Sequence, residues 1–419
     1  MKNSGMKKNL FAAALMAATL TTSTLAAAAD ANADTIQPEN GAELLIWTDK
    51  TTLDYMEYAA QSFNKELGYD IDFSFRGLAP IDAASRLIQD GGSARVADVV
   101  EIEHDLLGRL VVAGGAMENL VSAERISKTF MPNAINASQA EGVSYGFPVS
   151  FATTALFYNK DLLTKAPENF EEIIEFSKTF NNKQEHKYAL LWDIQNYYES
   201  RMFVTLYGAY EFGNNGTDAK DIGINSEKAQ QGLEAMKTLQ VANNSNPVDM
   251  RNPQVRRGLF NEGKVAAIID GPWAIEGYQE SGINLGVVPM PKLAGQQPRT
   301  FATVRLAVVS SYTQYPKAAQ LFADYLTSDT MLKKRYEMSR ALPPIQSVME
   351  EIIVDADEAT YAIITQGFYS DAMPSIPEMG FIWSPMASAI TDYWVNDKPA
   401  SSVLDRALSI IEEQIELQE

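Results

Sequence analysis

A chain of 419 residues, 46% hydrophobic and 21% charged, with no cysteine and a formal charge of −20, is long enough for more than one core. It is too acidic to seek nucleic acid or anionic membrane surfaces, which leaves neutral or cationic partners; acidity that merely keeps the protein soluble is the plainer reading. Without cysteine there is no disulfide framework, no thiol nucleophile and no thiol for lipid attachment.

Residues 1–33 read as a secretory signal: Lys2, Lys7 and Lys8 open it, 10–20 is an apolar run too short to span a bilayer, and small residues end it at Ala29 or Ala33. Cleavage at Ala33 leaves 386 residues with a formal charge of −22, because three lysines and Asp30 are removed. A soluble periplasmic protein is the expected product, and no later stretch is apolar and long enough to be a membrane helix.

Residues 43–48 (ELLIWT) read as a first strand, followed by Leu53, Met56, Ala60, Phe63 and Leu67 at helical spacing until Gly68. Ile71, Phe73 and Phe75 alternate as a second strand, 82–90 reads as a helix and 97–102 (ADVVEI) as a third strand. This β-α-β-α-β order predicts a doubly wound α/β sheet whose loops at Asp49, Lys50, Arg76, His104 and Asp105 share one cleft. Strand-like segments at 145–149 and 155–161 flank an expected first crossing into a second lobe, with a helix at 170–180 and a strand at 188–192. A strand within 298–309 and a helix at 316–327 suggest a return to the first lobe, Leu342-Pro343-Pro344 a third crossing, and 382–394 and 400–417 terminal helices.

The stretch 260–273 (FNEGKVAAIIDGPW) carries the sharpest signal. Val265 to Ile269 form a short apolar run suited to a buried strand, and Asp270, Gly271 and Pro272 break it, so Trp273 falls just beyond the carboxyl end, where α/β sheets place ligands. Gly258, Gly263 and Lys264 imitate a phosphate-binding loop, but Val265 replaces the required Ser or Thr and the order is helix to strand, the reverse of such loops.

The block F-N-x-G-K-x-A-x-x-x-x-G-P-W resembles extracellular solute-binding proteins of the maltose/maltodextrin-binding type. IWTDK at the first strand, ADVV before His104-Asp105, YGFPV before FYNKDLL, and MPSIPEMGFIW at 373–383 arrive in that family's order over nearly the whole mature chain. The resemblance implies a bilobed type II periplasmic-binding-protein fold, two α/β sheets joined by a multi-strand hinge that closes over a ligand. The expected division is 34–151 with 303–344 as the N-terminal lobe and 152–302 with 345–419 as the C-terminal lobe. It also implies a monomeric receptor that binds maltodextrin-like oligosaccharides and delivers them to the membrane subunits of an ABC importer, without a cofactor, metal or catalysis.

A sugar offers hydroxyls and apolar C–H faces, so its site needs rings to stack on and polar groups to bond hydroxyl pairs. By the resemblance, Trp273, Trp383 and Tyr198 are the stacking rings and Asp49, Lys50 and Asp105 the polar groups. Read alone, Asp49 and Asp105 serve equally as helix caps and Tyr198 as core, while Trp47 and Trp394 read as core. Arg76 and Arg305 are candidate contacts or else surface and ion-pair residues, and Trp192, Asp193, Gln195 and Asn196 are further candidates in the second lobe.

The chain departs from the best-known maltodextrin binders at Ile102, Leu106, Ala152, Asn196 and Ala387, where that type carries a tryptophan or charged groups. Other solutes therefore stay open: a non-glucan oligosaccharide, a polyamine suited to the acidity, or ferric ion at the Tyr197-Tyr198 pair. No H-E-x-x-H motif is present, but a glycosidase needs only two carboxylates among 54 acidic residues.

Overall fold

The computed structural model describes residues 36–92 and 95–418, so the signal-like segment lies outside the described residues. Residues from Pro38 onward form one compact unit.

β1 (Glu43–Thr48), β2 (Asp72–Gly77) and β3 (Val99–Glu103) are parallel, with β1 between the other two. The helix Leu53–Leu67 joins the first pair and stops where Gly68 adopts φ 72°, a left-handed conformation that glycine takes without steric cost. A small hairpin, β4 (Gln139–Ala140) and β5 (Val143–Ser144), precedes β6 (Gly146–Thr153).

β6 is followed after Thr154 alone by β7 (Ala155–Asn159), which belongs to a different sheet. That second sheet is completed by β8 (Tyr188–Leu191), β10 (Val265–Asp270) and β11 (Leu285–Val288), in the order β11-β7-β10-β8; β9 (Asp218–Ile222) lies outside it. β10 is buried at every position, as its uninterrupted apolar run requires.

β12 (Thr300–Val309) returns to the first sheet, antiparallel to β3 and β6 and parallel to the short β13 (Ser370–Ala372). Both sheets are therefore mixed rather than purely parallel, because β7 runs antiparallel to β10 and β12 antiparallel to β3. Leu342 bridges to Phe151, so the segments around 151, 302 and 342 lie side by side.

Helix starts follow local chemistry. Asn169 accepts a hydrogen bond from Glu172 N to open the helix Phe170–Phe180, and Asn196 accepts one from Tyr198 N to open Tyr197–Val204. Trp47 and Trp394 are buried at 1% and 2% exposure, as their positions in a strand and an amphipathic helix predict.

Beneath β1 and β3, Glu101 and Arg335 form a fully buried ion pair with Nη1–Oε1 at 2.5 Å, and Thr48 Oγ1 donates to the same carboxylate. Burial alone would raise the Glu101 carboxyl, but Arg335 and these hydrogen bonds hold it below its ordinary range.

Candidate functional site

A cleft of about 490 Å³ is lined from both sheets: Glu103 ends β3 and Asp105 follows it, Ser150, Ala152 and Thr154 come from the β6–β7 passage, and Thr303 and Arg305 from β12. Facing them are residues of the helix Tyr197–Val204 and its approach, the helix Pro253–Asn261, the end of β10, and Trp273 and Trp383.

Its aromatic surface has two parts. Trp273 is 53% exposed, and its indole lies over Gly271, where even a Cβ would sit 2.3 Å from the ring. Glycine there is a close-approach requirement. The ring is held by Asp270, which accepts hydrogen bonds from Trp273 Nε1 (2.7 Å), Gly271 N (2.9 Å), Tyr278 Oη (2.8 Å) and the Arg257 fork (2.8 and 2.9 Å). An indole whose N–H is already spent offers its faces rather than its donor.

The second part is Tyr198 and Trp383, both half-buried and both backed by the buried Phe301, at centroid distances of 6.1 Å each. The Arg201 guanidinium lies over the Phe301 ring at 4.6 Å and is itself neutralised by Glu211 and Asp371. Tyr198 Oη accepts from Thr303 Oγ1 at 3.0 Å, tying this ring to β12.

Five carboxylates and four guanidinium groups line the cleft. Burial pushes the Asp105 carboxyl up to about 7, with the Glu103 charge adding to the effect. Burial also pushes Glu199 up to about 7 against the pull of Arg256, and raises Asp193 and Glu103. Glu199 accepts from Arg256 Nη2 (3.0 Å) and Asp193 N (2.8 Å), while Arg305 and Glu103 pair at 2.6 Å.

Behind Asp105, His104 is fully buried. Its Nδ1 accepts from Val304 N at 3.1 Å, so Nε2 carries the proton given to Met373 O at 3.0 Å. Burial lowers this imidazole to about 4, and the neutral ring ties the end of β3 to β12 and to the segment after β13.

Rings for C–H faces and planar polar groups for hydroxyls make a site for a small, polar, neutral solute. The family model for bacterial extracellular solute-binding proteins matches residues 47–332. The chain belongs to that family. A galactooligosaccharide-binding protein of Bacillus subtilis (strain 168) is 30% identical over 384 residues, 90% of each chain. A maltooligosaccharide ABC transporter solute-binding lipoprotein of Streptococcus pneumoniae (strain ATCC BAA-255 / R6) is 28% identical over 89% of each.

Among solved structures, a cyclo/maltodextrin-binding protein complexed with maltotetraose superposes with TM-score 0.80 at 31% identity, covering 90% of this chain and 98% of that one. The maltose-binding periplasmic protein of Listeria monocytogenes, in complex with maltose, gives TM-score 0.80 at 28% identity, covering 91% and 100%. The fold is the bilobed type II periplasmic-binding-protein fold.

The sequence candidates Asp105, Asp193, Asn196, Tyr198, Trp273, Arg305 and Trp383 all line the cleft. Others do not. Trp192 is fully buried, with Nε1 donating to Ser200 Oγ at 3.0 Å and its ring edge-on to Trp394, so its candidacy is corrected to core packing. Arg76 is exposed and lies 5.8 Å from the Trp47 ring centroid, away from the cleft lining.

Asp49 caps its own turn, accepting from Thr51 N and Oγ1, and the exposed Lys50 follows it, so neither lines the cleft in this structure. The expectation that the loops after β1, β2 and β3 all face the cleft therefore holds only for the loop after β3. Gln195 lines an adjoining polar cavity and donates to Thr391 Oγ1 at 3.1 Å.

Sequence reasoning set Glu103 in a cleft-facing loop without giving it a role, and missed Glu199, Arg256, Arg257, Asp270 and Thr303. Asp270 had a usable signal, a carboxylate ending a buried strand directly before Gly-Pro-Trp. Arg256 and Arg257 had none, since charges on a helix ordinarily read as its solvated face.

Proposed function

We propose that this chain is the substrate-binding protein of an ABC sugar importer, exported to the periplasm, which captures a maltooligosaccharide between its lobes. What supports this most is the juxtaposition of Trp273, Tyr198 and Trp383 around a cleft whose remaining lining is mostly polar. Two lobes, 34–151 with 303–344 and 152–302 with 345–419, would close over the sugar, and the importer would read the closed surface. Closure would also bring Asp49 and Lys50, at the end of β1, toward the ligand. A cysteine-free sequence suits a soluble periplasmic form, and binding without turnover suits a family of solute-binding proteins.

A galactooligosaccharide is the second reading, favoured by the Bacillus subtilis relative at 30% identity. A polyamine fits poorly, since four guanidinium groups nearly balance the five carboxylates of the cleft and leave little net negative charge to hold a polycation. The adjacent tyrosines do not act together: Tyr197 is buried and donates to Glu211 at 2.7 Å, and of the two only Tyr198 lines the cleft. Calorimetric titration with maltose, maltotriose, maltotetraose, galactobiose, galactotriose, spermidine and ferric citrate tests the proposal. Heat and a raised melting temperature are expected for the maltose series. Silence from every saccharide, with a response to another solute, would overturn it.

A further inference from the structure

The cross-strand pair Glu103 and Arg305 is not accounted for by stacking. The two residues stand directly opposite in the β3–β12 register, with Arg305 Nη2 2.6 Å from Glu103 Oε1. An ion pair in the floor of a cleft ordinarily completes its hydrogen bonds within the protein, because an unmade bond at a desolvated charge is costly. Here it does not. Glu103 Oε2 and Arg305 Nη1 are both buried and have no hydrogen-bond partner.

Both side chains nonetheless keep surface, 29% and 20%, and both line the cleft. The terminal torsion of a glutamate is soft, so its second oxygen turns toward a ligand at little cost. Thr303 lies two residues along β12, on the same strand face, and holds Tyr198 Oη, so the pair sits beside a stacking ring.

An acceptor and a donor presented side by side match two adjacent hydroxyls of one sugar ring. We infer that Glu103 and Arg305 together read a vicinal diol, the carboxylate accepting from one hydroxyl and the guanidinium donating to its neighbour, next to the ring stacked on Tyr198. This rests on the saccharide reading above and adds what that reading leaves open, which hydroxyls are recognised. Loss of one hydroxyl then leaves a buried charged partner unsatisfied.

The test is calorimetry with the tighter of maltotriose and galactotriose, and with analogues of it deoxygenated at C2 or C3 of one ring at a time. Wild-type protein is expected to lose roughly ten- to one-hundredfold in affinity for the analogue lacking a read hydroxyl. Glu103→Gln and Arg305→Lys, the latter keeping the charge but not the fork, are expected to bind the parent sugar more weakly by a similar factor and to be indifferent to that deoxygenation.

Unfolding curves of both variants check that they are folded. Variants with wild-type affinity, or an equal loss for parent and every analogue, would reduce the pair to a cross-strand brace and overturn the inference. So would a wild-type protein that binds the sugar but ignores every deoxygenation. If no saccharide binds at all, the saccharide reading fails and takes the inference with it.

Discussion

Replacing Trp273 by Ala separates a binding ring from a core ring. The indole is 53% exposed, so of the roughly 250 Å² an aromatic side chain of this size presents, about 130 Å² faces the cleft and solvent. A sugar covering half to all of that surface would gain about 1.5 to 3 kcal/mol at ~25 cal/mol/Å². That corresponds to roughly a ten- to 150-fold loss of affinity in Trp273→Ala.

Stability should change little. The ring fills no closed interior, and Asp270 keeps the Arg257 fork, Gly271 N and Tyr278 Oη after the indole N–H is gone. Trp192→Ala is the control. It empties a fully buried site against Phe203 and Trp394 and should cost about 3 to 5 kcal/mol of unfolding free energy. Calorimetry against the best saccharide and urea unfolding followed by circular dichroism read the two effects. If Trp273→Ala keeps its dissociation constant within twofold, or loses more than ~2 kcal/mol of stability, the assignment of this ring to the ligand is wrong.

Three further outcomes follow from the same geometry. Asp270→Asn removes the charge that neutralises Arg257 and loosens the indole. A loss of about 3 kcal/mol in urea unfolding and a change in the saccharide-induced tryptophan fluorescence are expected, and unchanged values of both would refute the hub role. Arg335→Met leaves Glu101 charged and unpaired in the core. It should cost about 3 to 5 kcal/mol by urea unfolding, while Arg335→Met with Glu101→Leu recovers much of it; no recovery would show that the pair is not the cause.

The pH dependence has a definite sign. Asp105 and Glu199, raised to about 7 in the fold, hold protons the unfolded chain has released, so their contribution is present below the unfolded carboxyl range and is lost as pH rises through 7. His104, lowered to about 4, acts oppositely, its contribution being lost as pH falls below about 6.5. Melting temperatures of Asp105→Asn with Glu199→Gln should therefore gain on wild type progressively between pH 5 and 8; parallel curves would contradict the buried-carboxyl account.

Much of the frame was legible in the residues themselves. The alternation in β2, the apolar runs of β1 and β10 and the stop at Gly68 are local consequences of side-chain spacing and backbone sterics, and strands and helices formed where those signals lay. Trp273 and Trp383 were likewise legible as cleft residues, the first because it follows a Gly-Pro break at the end of a buried strand, the second because it follows a run with two prolines.

Tertiary structure alone decided how the polar groups of the site pair. Glu103 meets Arg305 across 202 positions of chain because β12 returns antiparallel to β3, and Arg257 reaches Asp270 because their helix packs against β10. Trp192 and Asp49 went the other way, one into a core and one onto its own turn. Periodicity tells which face of an element is apolar, but not which other element will cover it. Pairing between distant charges depends on that second fact, through the long-range register of strands and the docking of helices.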